Sequence, residues 1–291
     1  MSAARHLARG TLAAGLLLVS AAALAISFDL GKALDGVKQL KTAVVGPDAQ
    51  QEHELGRIAA ATLLGAAKPM KDHDLQAYVS KVGLWVALQS ERPDLPWRFA
   101  VLDDNSINAF AAPGGYVFVT RGLLVRLHSE AELAGVLGHE IAHVVLKHHL
   151  NALRREAGTQ LLSDLGSDVV AQKAGRANIP PQLLDAVSGQ AKTLYSRGLD
   201  KSDEYAADRL GVQLAGRAGY DPYGLLAVLQ TLDRMDSNDS ALALLYQTHP
   251  RPADRLAQLG LLSAQLDAFG QQPALETRFG ASVGAAIAVK K

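Results

Sequence analysis

Residues 133–145 leave little freedom in what can fold around them. Leu133, Val136, Leu137, Ile141, Val144 and Val145 place apolar side chains almost all round a helical projection, the pattern of a helix buried on every side. Ser129 followed by Glu132 reads as a capping box that starts this helix, and the pattern runs to about residue 150. Inside it lie His139, Glu140 and His143. Residues four apart share a helix face, so the two histidines point at one place. Glu140 lies one step round, within reach of a water held there. Buried polar side chains need partners. Two imidazoles suit zinc, and the carboxylate suits a general base. A core helix with histidines satisfied by hydrogen bonds alone is the competing reading, and the zinc reading needs a third ligand from elsewhere.

Composition narrows the classes. The chain has 291 residues, 48% of them hydrophobic, ample for a substantial core. Formal charge is zero, so nothing points to nucleic acid or a strongly acidic partner. Cysteine is absent, which removes disulfides, thiol catalysis and cysteine-ligated zinc. Arg5 and Arg9 precede an uncharged run over residues 10–28, centred on Leu16-Leu17-Leu18-Val19, with Ala23-Leu24-Ala25 as a cleavage pattern. This is the layout of a secretory signal peptide over residues 1–25, with a bacterial periplasmic location. The run also approaches spanning length. An uncleaved anchor, with membrane association through the N-terminus, therefore competes; the alanine-rich composition favours cleavage.

A linker is expected over residues 26–50, then one domain over 51–265 and a peripheral Ala/Gly-rich tail over 266–291. Helices are expected over 51–67 and after Asp72 or Asp74, and a strand over 97–102. Pro113-Gly114-Gly115 bends into a second strand over 116–120. That strand is a candidate cleft wall, its edge free to pair with an extended peptide; an ordinary hairpin strand is the plainer alternative. Thr120 caps a short helix. Gly158, Gly166, Gly175 and Pro180-Pro181 interrupt an amphipathic stretch that suits a lid or hairpin. Ser202 or Asp203 caps a helix carrying Glu204 and Asp208 four apart on one face. Glu204 is the candidate third ligand. Asp208 can accept the N–H of a ligand histidine and fix its orientation. An exposed acidic helix start, favoured by the helix dipole, is the alternative.

Together these residues resemble the M48 family of zinc metallopeptidases. The resemblance rests on His139-Glu140-x-x-His143 with Glu204-x-x-x-Asp208. Asn108-Ala109-Phe110 through Pro113-Gly114-Gly115, then Thr120-Arg121-Gly122-Leu123, is similar to the family's strand-edge segment. His249-Pro250 with Arg255 is similar to its C-terminal signature. It runs over residues 51–262. It implies an α+β, mostly α-helical gluzincin metallopeptidase fold, with a small β-sheet beside the active-site helix. It implies one zinc ion per chain on His139, His143 and Glu204, with Glu140 activating water. Arg255 would match a basic residue near the transition-state oxyanion. His249 would match a histidine that approaches the metal and holds some members latent. The soluble periplasmic quality-control branch fits better than the multi-spanning prenyl-protease branch.

The implied function is an endopeptidase of unfolded or misassembled envelope proteins, with substrate lying along residues 116–120. The alternative, from another class, is a periplasmic holdase or assembly factor for outer-membrane proteins with a latent zinc site. A metzincin would place glycine where Leu146 stands. Without that glycine the helix has no easy exit. His148 and His149 then read as helix-end histidines, favoured near the C-terminal dipole.

Overall fold

The computed structural model describes residues 47–164 and 197–288. The expected signal peptide and nearly all of the linker lie outside the described residues, as does the 165–196 part of the expected lid.

The first helix, α1 (Ala49–Ala66), begins inside the expected linker because Asp48 caps it. The Asp48 carboxylate accepts the Gln51 N–H at 2.8 Å, and Gln51 Oε1 accepts the Asp48 N–H at 3.0 Å, a closed capping box. Helix α2 (His73–Ala87) is capped by Asp72. Three short strands follow: β1 (Arg98–Leu102), β2 (Ala109–Ala112) and β3 (Tyr116–Thr120). Thr120 caps α3 (Arg121–Leu124). Then come α4 (Glu130–Val145) and α5 (His148–Asp164), and beyond the undescribed stretch α6 (Lys201–Arg217) and α7 (Gly224–Asp233). A 3-10 turn, Ser240–Leu242, leads into α8 (Ala243–Thr248), α9 (Pro252–Gly260), α10 (Ser263–Asp267) and α11 (Glu276–Ala288). The architecture is α+β and mostly helical, as the resemblance implies.

Helix α4 is the axis of the molecule. Every residue from Glu130 to Val144 is buried, and α4 packs against α2, α6, α7, β2 and β3. Ser129 caps it by accepting the Glu132 N–H at 3.1 Å. The Glu132 carboxylate returns to the His128 N–H at 2.7 Å, one residue short of the reciprocal bond of a capping box. Each fully buried Leu or Ile on it, such as Leu133, Leu137 and Ile141, contributes about 1.5–3 kcal/mol of apolar burial.

The sheet order is β1-β3-β2, with β1 parallel and β2 antiparallel to β3. This corrects the expectation for residues 116–120: β3 is the central strand, hydrogen-bonded on both sides, and has no free edge for a peptide. The edge strand beside α4 is β2. Alternation assigns the two faces. Val101, Ala109, Ala111, Val117 and Val119 enter the main core, while Leu102, Phe110 and Phe118 join Ala60, Leu63 and Leu64 of α1 in a separate cluster.

Three further expectations are corrected. Helix α4 stops at Val145, not near residue 150, because Lys147 takes φ 60° and turns the chain into α5. Helix α6 starts after Asp200, whose side chain makes no capping bond; neither Ser202 nor Asp203 is the cap. Part of the tail expected to be peripheral is core: Phe279 and Val283 of α11 are buried in the main cluster.

Candidate metal centre

The site forms where α4 and α6 touch backbone to backbone. A Cβ on Gly138 would lie 2.6 Å from the Gly211 carbonyl oxygen, and one on Gly211 would lie 2.7 Å from the His139 nitrogen. Only glycine permits this approach. It brings a residue near the start of α6 against the second half of α4.

The result is a convergence of donor atoms. His139 Nε2 and His143 Nε2 lie 3.0 Å apart. Glu204 Oε2 is 3.6 Å from His139 Nε2, and Glu204 Oε1 is 3.6 Å from His143 Nε2. All three residues are buried. A tetrahedral zinc with bonds of about 2.0–2.2 Å sets its ligand atoms about 3.3–3.6 Å apart. The donor chemistry fits as well as the spacing. His139 Nδ1 faces Asp208 Oδ1 at 2.9 Å; with its proton on that bond, Nε2 turns a lone pair toward the other donors. A buried ring of lone pairs and carboxylate oxygens is stabilised by a cation.

Asp208 stands beside His139 Nδ1 and is itself gripped from behind. Arg255 Nε donates to Asp208 Oδ2 at 2.9 Å and Nη2 to Oδ1 at 2.5 Å. Burial opposes charge on Asp208, but the charge and hydrogen bonds of Arg255 outweigh it and hold the carboxyl well below the usual range. Arg255 Nη2 also lies 3.2 Å from His139 Nδ1. The guanidinium thus occupies the Nδ1 side of His139, opposite the Nε2 that faces the donor cluster. Arg255 also lines a cleft with His139, Glu140 and His249.

His249 reaches the site from the end of α8. Its Nδ1–H donates to Glu204 Oε2 at 2.6 Å, and its ring stands 5.5 Å from that of His139. Burial works against a charged His249, yet the Glu204 charge and hydrogen bond raise its pKa. Burial likewise opposes charge on Glu204, and His249, His139 and Arg255 together lower its pKa. Burial pushes the Glu140 carboxyl above the ordinary range, only partly offset by its basic neighbours. Glu140 lines one cleft with Ala109, Phe110, His143, Glu204 and His249.

His148 and His149 depart from their expected place. The turn at Lys147 puts them at the start of α5 instead of the end of α4, so the dipole argument made for them does not hold. They fold back against the site: His148 Nδ1 is 3.0 Å from His143 Nδ1, and the His149 ring is 5.4 Å from that of His143 and lines the cleft with Glu140. Burial takes the His149 pKa down to about 3. It also sends that of His143 well below the ordinary imidazole value, helped by the surrounding histidines. The sequence carries little signal for this turn, since lysine rarely takes a positive φ. Two charged residues hold it in place: Arg92 Nη1 donates to the Val144 carbonyl at 3.1 Å, and the buried Glu52 binds Arg92 at 2.8 Å and Lys147 at 3.5 Å.

Comparison with known proteins finds matches over the part of the chain that builds this site. The model of peptidase family M48 matches residues 73–262. The beta-barrel assembly-enhancing protease of Escherichia coli (strain K12) is 30% identical over 210 residues, covering 71% of this chain and 42% of that protein. The mitochondrial metalloendopeptidase OMA1 of Schizosaccharomyces pombe is 30% identical over 188 residues, 64% of this chain and 52% of that one. The mitochondrial metalloendopeptidase OMA1 of Bos taurus is 33% identical over 180 residues, 59% and 33% respectively. The chain spans about half, or less, of the length of these relatives.

Proposed function

This chain belongs to peptidase family M48, and from that premise we propose that it is a zinc-dependent endopeptidase acting on unfolded or misassembled envelope proteins. The observation that carries the proposal is the convergence of His139, His143 and Glu204, with Glu140 lining the same cleft. The names of the bacterial and mitochondrial relatives support proteins as the substrate class. The N-terminal pattern from Arg5 to Ala25 supports action in the periplasm; cell fractionation that finds the protein in the cytosol would reject that location. None of the described helices is long and apolar enough to cross a membrane. Attachment through the N-terminus is tested by whether residues 1–25 persist on the protein isolated from cells.

In this proposal His139, His143 and Glu204 hold one zinc ion. Bound there, zinc would acidify a water and polarise the scissile carbonyl. Glu140 would accept a proton from the attacking water and pass it to the leaving amine, and the desolvated carboxyl suits a group that must hold the proton between the two transfers. Asp208 keeps the His139 proton on Nδ1, and Arg255 holds Asp208 in place instead of meeting the oxyanion. An extended substrate lies along β2, not β3. Thr120 N–H bonds the Asn108 carbonyl at 3.0 Å, so the alternation of an antiparallel pair turns the Ala109 carbonyl and both backbone groups of Ala111 outward, away from β3, while the Ala109 N–H is bonded to Asn108 Oδ1 at 3.0 Å. Ala109 and Phe110 line the cleft itself.

The test is Glu140→Gln against wild type, with unfolded casein. Wild type is expected to cleave, and the variant to keep its zinc and lose cleavage. Equal cleavage by both sinks the general-base role. Binding of casein without cleavage by wild type supports the holdase alternative. His249 is proposed to restrain the resting enzyme through Glu204. His249→Ala is then expected to raise basal cleavage and change the metal's coordination geometry; if neither moves, the restraint is wrong.

A further inference from the structure

His139 has Asp208 behind it; His143 needs an equivalent. For His143 to offer its Nε2 lone pair beside His139 Nε2 and Glu204, its proton must sit on Nδ1, and a buried N–H needs an acceptor. The atom there is His148 Nδ1, at 3.0 Å, with the two rings meeting edge-on at an interplanar angle of 73°. A neutral imidazole has one N–H and one lone pair. If His148 accepts at Nδ1, its own proton is on Nε2, and that atom faces Asp203 Oδ1 at 3.7 Å. His148 is buried and Asp203 only a quarter exposed.

We propose that His148, backed by Asp203, is the positioning residue for His143. It fixes the His143 proton on Nδ1 and the ring's Nε2 toward the metal position. The proposal rests on the reading that His139, His143 and Glu204 hold zinc. It makes α6 the source of three carboxylates with different tasks: Glu204 as ligand, Asp208 behind His139, and Asp203 behind His148. It also gives the strained turn at Lys147 a purpose. A helix continued straight past Val145 would carry residue 148 along the axis by 1.5 Å per residue, away from the His143 ring.

The test compares His148→Phe, which keeps a ring and removes the acceptor, with His148→Gln, whose amide oxygen can accept again. In metal-free wild type labelled with 15N-histidine, His143 is expected to carry its proton on Nδ1. In H148F that preference is lost. Zinc affinity, measured by competition with a chelator, is expected to fall about 10–100-fold in H148F. It should recover to within a few-fold of wild type in H148Q, and fall by less in D203N than in H148F. Circular dichroism and melting of the metal-free proteins confirm that the variants compared are folded. If H148F does not fold, H148Q and D203N carry the comparison: H148Q at wild-type affinity with D203N weakened supports the pair, and D203N at full affinity with the tautomer unchanged overturns it. A folded H148F that binds zinc as tightly as wild type, with His143 unchanged, also overturns the proposal. If wild type takes up no zinc yet His143 keeps its proton on Nδ1 only while His148 is present, the metal reading fails and the pairing stands.

Discussion

At His139 the two ring nitrogens face different chemistry: Nδ1 meets Asp208, and Nε2 meets His143 and Glu204. That division is what a ligand histidine requires. Arg255 enters through Asp208, to which its fork is bound two-fold. A role on Asp208 and a role on the oxyanion predict different kinetics. Arg255→Lys keeps the charge but cannot reproduce the bidentate geometry. If Arg255 positions Asp208, zinc affinity should drop about tenfold or more, with activity falling alongside it and restored by excess zinc. If it bound the oxyanion, kcat would drop about 10²–10³-fold with zinc affinity unchanged. The first outcome is expected, read from a chelator titration beside an assay at saturating zinc.

Among the elements, the pair α4 and α6 decides whether a site exists at all, and the Gly138–Gly211 contact sets their distance. Gly211→Ala puts a methyl 2.7 Å from the His139 backbone nitrogen, where no flexible side-chain end can give way. Separation of the helices is the only relief. We expect a stability loss of about 1–3 kcal/mol, seen as a lower urea midpoint, and a weakened zinc affinity as Glu204 retreats from the histidines. Gly260→Ala is the control: nothing lies within 4 Å of a Cβ there, and a change within about 1 kcal/mol is expected. A Gly211→Ala protein with wild-type midpoint and affinity would show that the helices do not depend on this contact. The same elements show what a sequence can and cannot reveal. The pairing of His139 with His143 was readable because a helix is a local rule with a fixed period. Glu204 was readable as a candidate from its place beside Asp208 on a helix, but choosing it over an exposed acidic helix start took the family resemblance, since no local rule spans that separation. The strand order was not readable: a hairpin looks alike in sequence whether its second strand ends as edge or centre, and pairing with β1 decided it. The turn at Lys147 was missed because it uses a residue that carries no turn signal.

Over the whole molecule, a buried carboxylate secures each end of the active helix. Glu52 reaches the C-terminal end through Arg92 and the Val144 carbonyl. At the N-terminal end Glu130, the first residue of α4, accepts the hydroxyls of Tyr78 and Tyr220, each at 2.8 Å, and pairs with Arg278 of α11. This docks the C-terminal helix, together with Phe279 and Val283, onto the core. Its low-complexity Ala/Gly composition hid that role, because the two buried side chains and one arginine that hold it are sparse in the segment. Burial of Glu130 opposes its charge, but the bonds from Arg278, Tyr220 and Tyr78 outweigh it and leave its pKa below the ordinary value. Arg278 is half exposed, so solvent screens its share and the two hydroxyls carry much of the effect. A group with a lowered folded pKa adds stability that is complete above its unfolded pKa, near ~4.3 for glutamate. That stability is lost as pH falls through the folded value. Other carboxylates titrate in the same window, so total stability against pH cannot isolate Glu130; the difference from Glu130→Gln can. Urea unfolding of the metal-free proteins should show the variant weaker by about 1–3 kcal/mol at pH 7. The gap should narrow steadily below about pH 4.3, as the wild-type side chain gains its proton and comes to resemble the amide. A gap that stays constant down to about pH 3, well below the unfolded glutamate pKa, would mean that the amide of the Glu130→Gln variant is disruptive by shape alone and that the charge of Glu130 does not hold α11 to the active helix.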